Sequence, residues 1–400
     1  ATESGTRHLR PVRCTTFCAN LNMALYVLQM VFIGILAVTA IFYAVFEIRL
    51  FRALGTVRAG NAHPEKLPKV SVLIAARNEE KNIAAMLDYV LSQGYAGEFE
   101  GWVADGRSTD STPGILAEYA GKDGRLRVLT IRDLEKGRSA KKNAISRMIA
   151  QASGEILHLT GADCKVRPTW ISGMVREFEP GIELVVGHSY IELPPHCHAP
   201  LLLMQAVEVL SYRIAGTGGL AMNTPLTSTG NNLAYRKAFF NKVNGFSGID
   251  TIQSGDDDLL LQKIAATDPA KARYCITPET FVATSGKEKF KELWEQRKRW
   301  ASKTIYYSPY IVFILSMIFA FFTALTLGIA LAFLSRTLLI AELAACAVKL
   351  AGDICLFSRG LRIFNAKELF KWFLPVEFVH APFTVFAVLF GTAGRFTWKP

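Results

Sequence analysis

The stretch QSGDDDLLLQK, residues 253–263, sets Asp256, Asp257 and Asp258 side by side and follows them with three leucines. Adjacent carboxylates repel, and ionised acids against an apolar run are unfavourable unless a cation, a proton or a hydrogen-bonded partner compensates. One compensation is local: Ser254 caps a helix, the acids fill its first turn against the dipole, and the leucines are buried behind. The other is chemical. Mutual repulsion and burial against Leu259–Leu261 raise the proton affinity of one acid until it serves as a general base. A second chemical candidate is QRKRW, residues 296–300, where Arg299 and Trp300 stand just ahead of a long apolar run. A guanidinium there can grip a diphosphate bidentately, and an indole face suits a sugar or a lipid headgroup. Ordinary anchoring at a membrane surface would use the same two residue types.

The apolar runs set the frame. Residues 24–46 and 305–334 contain no charged residue, and each can cross a hydrocarbon core of about 30 Å. Two weaker candidates, 337–357 and 373–394, are interrupted by Glu342, Lys349, Asp353, Glu377 and His380. The expected organisation is an N-terminal transmembrane helix (23–47), a linker (48–67), a soluble domain (68–304) and about three C-terminal transmembrane helices (305–396). Residues 1–22 lack apolar periodicity, and Met23 opens the first apolar run, so they are expected to be a non-native or disordered extension. Arg49, Arg52, Arg58, Lys66 and Lys69 follow the first span, and Lys287 to Lys303 precede the second. That bias places 47–304 and 358–371 in the cytoplasm of an integral protein of the plasma (inner) membrane. The net charge of +11 fits a basic membrane-facing surface, and no basic helix with interleaved aromatics argues for nucleic acid. Seven cysteines without paired spacing suggest neither a disulfide framework nor a zinc site. Lys349 and Asp353, four apart on one helix face, need compensation in lipid; they could pair within the bundle or line an acceptor slot.

Between about 68 and 300, short apolar strands alternate with helical stretches. KVSVLIAA (69–76), EFEGWVAD (98–105), LRVLTI (126–131) and GEILHLTGAD (154–163) read as strands. Between the first two, Ile83, Met86, Leu87, Val90 and Leu91 recur at helical spacing, and residues 139–152 form a helix before the fourth. Such alternation predicts a mostly parallel, Rossmann-like α/β sheet, whose ligands bind beyond the carboxyl ends of the strands. Asn78, Glu79, Asp105 and Asp163 stand at those ends.

Taken in order, SVLIAARNEE (71–80), VADGRSTD (103–110), SAKKNAIS (139–146), TGADC (160–164), STGNNLAYRKAFFNKVNGF (228–246), SGDDDLLL (254–261) and the Gln-x-x-Arg-Trp of 296–300 resemble the motifs of glycosyltransferase family 2. The likeness runs from Val70 to about Trp300, and the flanking spans are similar to those of membrane-bound, ceramide glucosyltransferase-like members. It implies the GT-A fold and transfer of a sugar from a nucleotide-diphosphate donor, with inversion, to a membrane lipid. By this resemblance Asp257, the second acid of the trio, is the catalytic base. Glu79, Asp105, Lys141 and Asp163 bind the donor, Asp163 also holding Mg²⁺ or Mn²⁺. Asn231, Asp256, Gln296, Arg299 and Trp300 face the acceptor or the diphosphate.

Two positions depart from the pattern. Gly106 and Gly161 stand where the family usually has carboxylates, one beside the nucleoside and one in the metal and sugar site. Asp163 alone could still hold Mg²⁺ or Mn²⁺, because Mg²⁺ commonly takes one or two protein carboxylates. The departures keep two alternatives open: a processive polysaccharide synthase, and a catalytically impaired relative acting as a membrane-bound scaffold or partner.

Overall fold

The structure, a computed structural model, describes residues 12–133 and 137–393. Among the described residues, ten strands form: β1 Val70–Ala76, β2 Phe99–Asp105, β3 Leu126–Thr130, β4 Ile156–Gly161, β5 Cys164–Lys165, β6 Leu184–Gly187, β7 Ser189–Ile191, β8 Leu233–Arg236, β9 Ala272–Cys275 and β10 Val282–Thr284. Seven of them make one sheet in the order β3-β2-β1-β4-β8-β6-β9, and β5-β10-β7 make a smaller one. β1 to β4 run parallel, and β8 runs antiparallel to both β4 and β6. The apolar run of β1 is buried almost throughout, as a strand covered on both faces requires. Register pairs Ala76 with Asp105 and Ala75 with Gly161. The carboxyl ends of β1, β2 and β4 therefore come level, and the expected parallel α/β frame is present.

The helices are α1 Val12–Ala53, α2 Ile83–Leu91, α3 Thr112–Lys122, α4 Ala140–Gln151, α5 Trp170–Val175, α6 Pro200–Ala221, α7 Lys237–Lys242, α8 Asp258–Ala265, α9 Phe290–Ser302, α10 Pro309–Leu331, α11 Arg336–Ile363 and α12 Phe370–Ala393. α1 takes in Val12–Asn22 of the expected extension; residues 1–11 lie outside the described residues. Among the described residues, three stretches are long and apolar enough to cross a membrane: Asn22–Ala53, Pro309–Leu331 and Lys367–Gly391. α11 is as long as they are, but its charges keep it from that class by composition. Two of those charges, Lys349 and Asp353, are paired. Lys349 forms ion pairs with Asp353 at 2.6 Å and with Glu377 of α12, and the Tyr43 hydroxyl of α1 donates to Asp353 at 2.5 Å. Of the two roles open to Lys349 and Asp353, the structure shows pairing that ties three helices together.

The bundle and the sheet share one core. Phe46, Leu50, Leu356, Phe357 and Phe364 from the helices are buried with Leu73, Leu159 and Leu233 of the strands. Beyond α1, the chain is clamped to the sheet's far side. The Gly60 amide donates to Glu177 at 2.9 Å, and Arg58 pairs with Glu179 at 3.0 Å.

Candidate active site

The helix that begins within the acidic trio is α8, and its N-cap is Asp257, not Ser254. Gly255 causes the shift: at φ +80 it turns the chain through the left-handed region, and a Cβ there would stand 2.7 Å from Leu259 Cγ. The Asp257 side chain then accepts the Asp258 amide at 2.7 Å and, through its other oxygen, the Gly230 amide at 2.8 Å. Asp256 pairs with Lys141 Nζ of α4 at 2.6 Å. Asp258 gathers the Ser228 amide at 2.5 Å, the Tyr307 hydroxyl at 2.9 Å and the Lys303 ammonium. Lys303 also reaches Asp257 at 3.4 Å. The trio thus divides its work. Side-chain exposure is 8% for Asp256, 17% for Asp257 and 5% for Asp258, so Asp257 is the acid most open to a substrate.

The electrostatics reverse one expectation. Burial alone would raise the proton affinity of Asp257, but Lys303, Lys141 and the amides of Asp258 and Gly230 outweigh it. The carboxyl is held well below its ordinary value. Neighbouring acids do not tune it upward because each has its own cation, and those cations also face Asp257. Burial likewise opposes the charge on Lys141 and Lys303, and the facing carboxylates overcome it, so both ammonium groups titrate above the usual lysine value. Arg299 lies within electrostatic reach of Asp256 and Asp257. There burial prevails, with Arg297 adding to it, and lowers its pKa.

The second wall lies at the strand ends. Asn231 Oδ1 and Asp163 Oδ1 flank Gly161: a Cβ at Gly161 would stand 2.7 Å from the Asp163 oxygen and 3.3 Å from that of Asn231. Gly230, adjacent to Asn231, touches Asp257, so this wall is continuous with the acids. Further along, Asp105 is buried and its Oδ1 accepts the Ser108 amide at 3.2 Å. Glu79 accepts the Asn82 side chain at 2.9 Å, which is helix-start work. Asn78, at φ +52, receives Thr109 N on its side chain at 2.8 Å, knitting the first two strand ends together.

Gln296 and Trp300 are held by a residue between them. Arg297 forms a buried two-bond ion pair with Glu208 of α6 at 2.9 and 2.6 Å. It also donates to Gln296 Oε1 at 2.6 Å, and its guanidinium lies 4.2 Å from the Trp300 ring centroid. Tyr212 meets the same indole edge-on at 6.0 Å. The structure therefore brings Lys141, Asp256, Asp257 and Arg299 together and sets Asp163 and Asn231 beside them. Gln296 and Trp300 sit on the Glu208–Arg297 pair, while Glu79 and Asp105 stand at the β1–β2 rim. Sequence reasoning missed Lys303 and Tyr307. Lys303 lay hidden in the basic run before an apolar segment; its spacing of one helical turn from Arg299 was the available signal.

Among the described residues, no cluster of three or more His, Cys, Asp or Glu could hold a metal ion. What the site offers an ion is the Asp163 carboxylate with the Asn231 amide oxygen close by, a set that phosphate oxygens and water would have to complete. The two glycines now have different explanations. At Gly106 a Cβ would come 3.2 Å from the Ala76 carbonyl, a tight backbone approach. At Gly161 the space is filled by Asp163 itself. Gly161→Asp is accordingly expected to lower the melting temperature in chelator, since two carboxylates at one strand end repel, and to recover it in Mn²⁺. A variant as stable as the wild type in chelator would show that Asp163 swings aside freely.

Residues 71–198 match the sequence model of the family described as Glycosyl transferase family 2. That match covers about a third of the chain. The match takes in Glu79, Asp105, Lys141 and Asp163, whereas the acidic trio and Gln-x-x-Arg-Trp lie beyond it. The chain is 36% identical over 133 residues to a beta-monoglucosyldiacylglycerol synthase of Nostoc sp. (strain PCC 7120), covering 32% of this chain and 28% of the relative. The corresponding protein of Trichormus variabilis is 35% identical over 133 residues, with the same coverage of 32% and 28%. The chain thus spans less than a third of these relatives' length. Among solved structures, the mannosyltransferase of Pyrobaculum calidifontis, in complex with GDP-Man and Mn²⁺, superimposes with a TM-score of 0.56 at 18% identity. That superposition covers 90% of this chain and 98% of the other. The chain thus shares its overall fold with that protein.

Proposed function

We propose that the chain transfers a sugar from a nucleotide-diphosphate donor to the hydroxyl of a membrane lipid, inverting the anomeric carbon. One observation carries this reading: the half-buried acid Asp257, the most open of the trio, and the cations Lys141, Arg299 and Lys303 meet where α9 leads into α10, a helix apolar enough to span a membrane. A base beside a cationic pocket suits loss of a hydroxyl proton alongside departure of a diphosphate. Placement next to an apolar helix suits an acceptor that stays in lipid. The relatives' name supports both points, since a β-linked glucosyl lipid is the product of inversion at an α-linked donor.

In this mechanism Asp257 accepts the acceptor's hydroxyl proton. Lys141, in the first turn of α4, and Arg299 are drawn toward the arriving diphosphate, aided by the positive end of the helix. As their charge is shared with the donor, the proton affinity of Asp257 rises toward that of a working base. Glu79 and Asp105 face the nucleoside. Asp163 and Asn231 would hold Mg²⁺ or Mn²⁺, which supplies positive charge to the leaving diphosphate when bound. Asn231, Gln296 and Trp300 form the acceptor side, and the domain faces the cytoplasm from the plasma (inner) membrane.

The test is transfer of labelled glucose from UDP-glucose to diacylglycerol by the protein in lipid nanodiscs, with the product's anomer read by NMR. Retention of configuration, or no transfer from any of a panel of sugar nucleotides, would refute the reading. Trp300→Ala should raise the acceptor KM by about tenfold and leave UDP affinity unchanged, because the indole is placed on the acceptor side. Loss of UDP affinity with normal acceptor use would move Trp300 to the donor side.

A further inference from the structure

Lys141 and Lys142 are neighbours in the first turn of α4, and they do different work. Lys141 reaches the carboxylate of Asp256. Lys142 is 1% exposed, and its ammonium donates to three backbone carbonyls: Ile249 at 2.7 Å, Ile252 at 2.8 Å and Ser254 at 2.7 Å. An ammonium has three hydrogens, so its donor capacity is filled by this one loop. The loop ends at Gly255, and the next residues are the acidic trio. A buried lysine is unfavourable unless something needs its charge. Here the need is visible: the buried Ser254 carbonyl and the Ile252 carbonyl converge on the ammonium, and the Ile249 carbonyl has besides it only the Ile252 amide at 3.3 Å.

We propose that Lys142 is a positioning residue that pins the 249–254 loop to α4 and so fixes where the Asp257 carboxylate stands relative to Lys141. The link joins the donor side of the site to the base. α4 follows β3 on the nucleotide half of the sheet, whereas the loop and α8 belong to the other half. A second tie runs in parallel, from the Ser139 amide at the start of α4 to the Asp250 carbonyl at 2.8 Å. Asp250, Asp256, Asp257 and Lys303 are the charged groups that bear on the ammonium. The net attraction of the acids does not cancel its burial, and its pKa falls to about 8. Because the assignment of Asp257 as base rests on the function proposed above, the test needs one arm that does not depend on catalysis.

Lys142→Met and Lys142→Arg, in nanodiscs, supply both arms. Hydrogen exchange is read first. In Lys142→Met, amides of the 249–261 segment should exchange about tenfold or more faster, with β1 and β2 unchanged, and Lys142→Arg should restore protection. Unchanged exchange, or a rise spread evenly over the sheet, would overturn the proposal whatever the activity. The second arm is kinetic. With UDP-glucose and diacylglycerol, Lys142→Met should lose about a hundredfold in kcat while the donor KM stays within about threefold. Lys142→Arg should recover most of kcat and keep it above pH 8, where the lysine loses its proton and the guanidinium does not. Faster loop exchange with an unaltered kcat would overturn the link to the base. If the wild type transfers no sugar, the functional reading fails, and the exchange data alone then uphold or reject the pinning of the loop.

Discussion

Asp257→Asn should fold, bind UDP as the wild type does, and lose about 10²–10⁴-fold in turnover, the usual contribution of a positioned base. The amide preserves shape, and asparagine caps a helix as well as aspartate, so α8 should begin where it does now. Asparagine has one oxygen where aspartate has two, so with the Asp258 amide still capped the Gly230 amide loses its acceptor. What also disappears is the capacity to take a proton. The pH dependence of stability offers a separate check. Because Lys303 and Lys141 hold the Asp257 carboxyl below its ordinary value, its ionised form stabilises the folded state above the unfolded carboxyl pKa of about 4. That contribution fades only as pH falls through the lower folded value. The variant should therefore be less stable than the wild type at neutral pH, and the gap should close in strong acid. Mild kinetic loss here, with severe loss in Asp256→Asn, would show that the neighbouring acid is the base.

Lys303→Met should be the most destabilising single change at the site. Its ammonium is the shared partner of Asp257 and Asp258, and Asp258 is the buried point where the 227–231 loop, α8 and Tyr307 meet. Removing one member of a buried pair leaves the other charge uncompensated, which costs about 3–5 kcal/mol. Unfolding monitored by near-UV circular dichroism should show a markedly lower midpoint. The deficit should also shrink as the pH is lowered, because the stranded carboxylates can then take up protons. In the wild type the opposite limb applies: Lys303 titrates above the usual lysine value, so its contribution holds below about pH 10 and is lost above the folded pKa. A variant that melts with the wild type would mean that Tyr307 and the Ser228 amide suffice to stabilise Asp258.

Much of this protein was legible along the chain because the signals are local. Short apolar runs marked β1, β2, β3 and β4 within two residues of where they lie, and helical spacing marked α2 and, to within one residue at each end, α4. Charge-free lengths marked the apolar helices, and the order of short motifs marked the strand ends that carry Asp105 and Asp163. The tertiary structure decided what depends on residues far apart. Lys303 faces Asp257 from 46 positions away, and Lys142 meets Ser254 from 112 away. Spacing along the chain shows that three acids adjoin, but not which cations the fold sets against them, so the direction in which Asp257 titrates was inverted. The same holds for Gly161, whose missing side chain is explained by Asp163 folding back over it. It holds as well for Lys349, whose partners Glu377 and, through Asp353, Tyr43 come from two other helices. Periodicity is set by the geometry of one element, whereas charge compensation and close packing are set by which elements the topology brings into contact.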